Sequence, residues 1–183
     1  MARISTRIAA LIVPAMALAV APAQARLWKP QGEALAQEYS VITDVRKSHD
    51  IITVFWLAPP LAPNSPAAQL ILARYVIVGV AHVKQDSVTG KAESTGLDTV
   101  QALDSDGKPL TLLEGDKVPP TVAAVISGIG GVARQSMGVT GMGMRFFAFD
   151  AGNVQACGKG RLSVAYVGET YTYDTPIPGC GAP

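Results

Sequence analysis

The chain has 183 residues, of which 49% are apolar and 16% charged, with 18 Gly, 13 Pro and only 2 Cys. That much apolar side chain opposes disorder, no glycine period supports collagen, and two cysteines are too few for a disulfide-dense miniature scaffold. Lys and Arg number 15 against 14 Asp and Glu, and Arg46-Lys47 is the only adjacent basic pair, so no basic field gathers phosphates and nucleic acid is not an expected partner.

The chain opens with Arg3 and Arg7, an apolar run from Ile8 to Val13, Pro14, a second apolar stretch from Ala15 to Ala21, and Ala23-Gln24-Ala25. A positive start, a short apolar core and a small-x-small site are what a signal peptidase reads. Residues 1–25 are therefore expected to be a cleaved secretory signal, with 26–183 forming one β-rich globular domain, periplasmic or extracellular. Pro14 interrupts the apolar stretch, which falls short of the ~20 residues of a membrane span. No cysteine sits at the cut to carry a lipid. Without the leader's two arginines, 13 basic residues face 14 acidic ones, a net charge of −1. No stable membrane span is expected after signal removal. Cys157 and Cys180 should pair in an oxidising compartment, since they form an even set with neither C-x-x-C spacing nor a nearby His that would suit a metal or redox site. Closing that loop is worth on the order of 3 kcal/mol.

Residues 26–37 read as a loose arm. Tyr39, Val41, Thr43 and Val45 alternate as a strand, and Ile51 to Leu57 is apolar on both faces, as expected of a strand covered on both sides. Three prolines at 59, 60 and 63 break the pattern. Ser65-Pro66 then opens a helix running to about Ala73, with Ser65 as its cap. The β-branched stretch Arg74 to Lys84 reads as a strand, Thr89-Gly90-Lys91 as a reversal, Leu97 to Leu103 as a strand, and Asp104-Ser105-Asp106-Gly107 as a tight turn into Pro109 to Leu113. Val122, Val125, Ile126, Ile129, Val132, Ala133 and Met137 recur at helical spacing and predict a helix from Pro120 to Met137, with glycine-kinked strands as the alternative because Gly128, Gly130 and Gly131 disfavour helix. Gly138 to Gly143 is expected to be a flexible loop. Strands follow at Met144 to Asp150, Val154 to Cys157, Gly160 to Val167 and Thr170 to Tyr173, the last two forming a hairpin around Gly168-Glu169. Many short strands divided by Gly, Pro and Asp turns predict a mainly β fold, a β-sandwich or open antiparallel barrel, with one or two short packed helices.

Catalytic patterns are sparse. The chain offers only His49 and His82 as bases for a serine nucleophile, and Gln135-Ser136-Met137-Gly138 has Arg134 where a nucleophile elbow needs glycine. No phosphate-binding glycine loop, dinucleotide fingerprint or H-E-x-x-H is present. Asp104, Asp106 and Asp116 approach one another in sequence as a glycosidase pair would, but the first two fit turn chemistry better and lack the spaced oxygens of a calcium loop. Tyr171 and Tyr173 share a strand face and could stack on sugar or a partner, or simply pack in a sheet. Met137, Met142 and Met144 gather around the glycine-rich segment, and with His82 they would suit soft copper(I); core packing is the plainer account of them. The small residues of the same segment would also allow a partner's backbone to approach closely. These residues predict an exported, non-catalytic binding or cell-envelope accessory domain, without cofactor, whose partner is a protein or envelope component. A periplasmic copper-handling protein is the first alternative, and a small envelope-directed hydrolase using carboxylates the second.

Overall fold

The computed structural model describes residues 25–28, 40–45, 50–62, 64–86, 88–97 and 99–180. His49, and the leader apart from Ala25, lie outside these residues. The chain folds as two open, predominantly antiparallel sheets packed face to face, with helices laid on the outer face of one of them. The expected sandwich is thus present, and no sheet closes into a barrel.

Among the described residues ten strands build the two sheets. They are β1 (Ala25–Trp28), β2 (Ser40–Val45), β3 (Asp50–Leu57), β4 (Tyr75–Gln85), β5 (Ala92–Ser94), β6 (Gln101–Leu103), β7 (Leu112–Leu113), β8 (Arg145–Asp150), β9 (Gly160–Tyr166) and β10 (Glu169–Thr175). One sheet runs β1-β10-β9-β6; the other runs β2-β3-β4-β8-β7, with β5 pairing the far end of β4. Strand β1 lies parallel to β10, so Arg26 to Trp28, expected in a loose arm, instead extend a sheet edge. Among the described residues there are three α-helices: α1 (Pro66–Arg74), α2 (Pro120–Ser136) and α3 (Gly138–Gly143).

The two-sided apolar character of β3 and β4 has a direct cause. Successive side chains of a strand point to opposite faces, so Ile52, Val54 and Trp56 with Val76, Val78 and Val80 turn toward the other sheet. There they meet Ala102, Leu162, Val164, Tyr166, Tyr171 and Tyr173 in the main core. The intervening Leu57, Ile77 and Ala148 pack under Leu72 of α1 and Val122 of α2. Burying each such aliphatic side chain contributes about 1.5–3 kcal/mol, and β3 and β4 supply it on both faces at once. Gly79 makes room for this layer. A β-carbon there would lie 2.6 Å from Phe55 and 3.0 Å from Phe146, the residues directly opposite it on β3 and β8. The two rings instead close over β4 edge to face, 6.1 Å apart.

Helix α1 starts where its cap predicts: Ser65 accepts a hydrogen bond from the Ala68 N–H at 3.4 Å, and Pro66 occupies the first turn. Helix α2 resolves the 120–137 alternative in favour of helix, with Val122, Gly130 and Ala133 buried along one face. Its glycines do not prevent this, because tertiary burial outweighs local propensity. Three local expectations are corrected. Gly138–Gly143 is not a loop but helix α3, seated where Gly141 abuts the Ala133 carbonyl and Gly143 abuts Ser94; glycine here serves close packing. Residues 154–157 pair in no strand and belong to the connection between β8 and β9, and their alternating apolar pattern reflects the burial of Val154 and Ala156. Of the strand expected over 97–103, only Gln101–Leu103 pairs.

The disulfide is formed: Cys157 and Cys180 are joined, with their α-carbons 5.3 Å apart. It ties the C-terminal tail to the connection between β8 and β9.

Candidate functional site

The residues able to carry chemistry fall into three places. The first is one end of the sandwich, where β3 begins and β4 ends. Asp50, Ile52, Val54 and Trp56 share the inner face of β3, and His82 on β4 lies opposite Ile52, diagonal to Asp50. His82 Nε2 is 3.4 Å from Asp50 Oδ2, and its Nδ1 is 3.2 Å from the Tyr166 hydroxyl on β9. The imidazole and phenol rings meet edge to face at 6.0 Å. Nδ1 and the phenol share one hydrogen bond, its donor set by the imidazole tautomer, while Nε2 stands within ion-pair distance of the carboxylate. Asp50–His82–Tyr166 is therefore a polar tie from one sheet to the other. It ends in the core, since Tyr166 is 1% exposed and does not offer its hydroxyl to a ligand from solvent.

The second place is a cleft of about 340 Å³ lined by Pro59, Ala73, Gln155, Ala156, Cys157 and Gly158. It adjoins the other end of β3, about 23 Å along the strand from Asp50 at ~3.3 Å per residue. Among the described lining residues Gln155 is the one polar side chain beside Cys157, so the ionisable tie and the cleft do not make a common site.

The third is the hairpin of α2 and α3. Val132, Met137 and Met142 are 64%, 37% and 65% exposed, which places three of the chain's exposed large apolar side chains within eleven residues. No acidic residue occurs between Lys117 and Asp150, and the basic ones there, Arg134 and Arg145, are exposed. The hairpin thus exposes three large apolar side chains and Arg134, while β5, which carries the exposed Glu93, packs beside α3.

The residues singled out from sequence scatter over this map. Met144 is buried with Ala81 and Ala133 on the helix side of the second sheet, whereas His82 points into the sandwich. The strand alternation that buries Ala81 sends His82 to the other face, and Met142 lies out in solvent, so the four residues of the copper reading do not converge. Among the described residues no group of three His, Cys, Asp or Glu is placed to hold a metal ion. Tyr171 and Tyr173 are fully buried, and the stacking reading for them is corrected: both rings belong to the core. The Tyr173 hydroxyl donates to the Val54 carbonyl at 3.0 Å, and burial, with a smaller contribution from Tyr171, pushes its pKa far above the usual phenol value. Asp104 does what turn chemistry predicts, its Oδ1 accepting from the Asp106 and Lys108 N–H groups at 2.9 and 2.8 Å.

The Asp50–His82–Tyr166 tie was missed in sequence because its members stand 32 and 84 residues apart. The available hint was parity, since Asp50 and His82 fall on the same strand faces as the inward-pointing valines. No family model, no curated protein and no solved structure matches the chain.

Proposed function

We propose that the chain is an exported, disulfide-stabilised, non-catalytic binding or cell-envelope accessory domain, and that it contacts its partner through the α2–α3 hairpin. The observation carrying this reading is the concentration of exposed Val132, Met137 and Met142 on one hairpin whose own sequence holds the exposed Arg134 and no acidic residue. Exposed apolar surface of this kind marks contact sites, and methionine adapts to a partner's shape. The hairpin packs closely at Gly141 against the Ala133 carbonyl and at Gly143 against Ser94, and a face already held in place binds with less ordering cost. The partner that fits is a protein of the cell exterior or envelope with an apolar patch edged by carboxylates. The paired cysteines support the exported setting, and no helix among the described residues is long and apolar enough to cross a membrane.

A photo-crosslinking side chain placed at 142 or 132 in intact cells tests this. The expected result is one discrete adduct from both positions, abolished by Arg134→Glu, with none from the still more exposed position 88. Equal labelling from 88, or adducts indifferent to Arg134, would contradict it.

A further inference from the structure

The two cysteines of the disulfide differ in setting. Cys180 is half-buried, packs on the main core, and has its sulfur 3.5 Å from the Ala156 carbonyl oxygen. Cys157 is exposed and lines the 340 Å³ cleft together with Pro59 and Ala73. Among the described residues no charged side chain lines that cleft, while Arg74 and Lys159, both exposed, adjoin lining residues in the chain. An incoming anionic sulfur therefore meets no lining carboxylate and reaches Cys157 ahead of Cys180. Thiol–disulfide exchange is governed by which sulfur can be approached.

We infer that the Cys157–Cys180 disulfide is an exchange site for an external thiol, entered through this cleft at Cys157. The external thiolate forms a new S–S bond with Cys157 Sγ as the Cys157–Cys180 bond breaks. The electron pair leaves on Cys180 Sγ, which takes a proton from water. A monothiol stops at this mixed disulfide. A dithiol continues: its second thiolate attacks its own bound sulfur and expels Cys157 as a thiolate, so the dithiol is oxidised to a disulfide and this chain's disulfide is reduced by two electrons. Opening is local, because the tail keeps Ile177 buried and its N–H bonded to the Ala156 carbonyl at 2.9 Å.

The folded protein is treated in native buffer with reduced glutathione, or with a protein dithiol of the Cys-X-X-Cys type, then acid-quenched and peptide-mapped. Glutathione is expected on Cys157 with Cys180 free, and the dithiol is expected to give both cysteines reduced while far-UV circular dichroism is unchanged. Reaction with only one reagent identifies which source of thiol the cleft admits. Ala73→Trp, at an exposed position, should slow exchange at least tenfold by filling the cleft, and Gln155→Trp serves the same purpose should the first variant fold poorly. Glutathione on Cys180, reaction only after unfolding, or rates unaffected by the cleft-filling variants would each overturn the inference.

Discussion

Val167 adopts a left-handed backbone, φ 49°, directly before Gly168 at φ 74°, and together they form the whole connection between Tyr166 and Glu169, the last pair of β9 and β10. Two successive positive φ values are what a two-residue hairpin turn of the primed type requires, because only that twist matches the strands it joins. Glycine meets the requirement at no cost. A β-branched residue does not, at about 1–2 kcal/mol for the left-handed conformation.

Val167→Asn should therefore stabilise the fold by about 1 kcal/mol, since Asn tolerates the left-handed region and Val167 is 48% exposed, with little packing to lose. Urea denaturation of both proteins checks this. An unchanged or lower midpoint would show that the valine contributes contacts that outweigh the strain.

Gly141 and Gly128 should respond oppositely to alanine. A β-carbon on Gly141 would overlap the Ala133 carbonyl, whereas one on Gly128 meets open space. Gly141→Ala should cost about 1–3 kcal/mol as α3 is forced off α2. Gly128→Ala should gain about 0.4–1 kcal/mol by restricting the unfolded chain. Paired thermal melts give both signs in one experiment.

Alkaline pH should unfold the protein partly through Tyr173. Its folded pKa is raised by burial, so above pH ~10 the unfolded phenol ionises while the folded one stays protonated. The unfolded state then binds fewer protons, and stability that is fully present below that pH is lost as pH rises, at about 1.4 kcal/mol per pH unit for this group. Tyr173→Phe should lose about 1 kcal/mol at neutral pH with the bond to Val54, and should show a shallower decline between pH 10 and 11. Denaturation at stepped pH measures both.

Met142 and Met144, two residues apart, should separate surface from core. Met142→Lys should leave stability within about 0.5 kcal/mol, whereas Met144→Ala should cost about 2–5 kcal/mol because Met144 is buried against Ala81 and Ala133. Chemical denaturation of the two variants checks the contrast.

Local periodicity and cap chemistry were legible in the sequence. The cap at Ser65, the two-sided apolar run of β3, the helical spacing from Val122 and the paired cysteines each rest on neighbours close in sequence or on residue type alone. What escaped depends on partners distant along the chain. Gly138–Gly143 reads as flexible until the Ala133 carbonyl and Ser94 beside it explain why nothing larger fits. Val154 and Ala156 alternate like a strand, though it is their burial in the connection between β8 and β9 that demands them apolar. Tyr171 and Tyr173 cannot be told from ligand-stacking aromatics without knowing that a second sheet covers them. The Asp50–His82–Tyr166 tie needs three strands from two sheets before it exists at all.

Intact mass and N-terminal sequencing of the protein, taken unreduced from the cells that make it, test the exported, disulfide-stapled domain most directly. The account predicts a chain beginning at Arg26, with three of the four β1 residues retained, and a mass two hydrogens below the fully reduced value. A chain retaining Met1 with both thiols free to alkylate would contradict it.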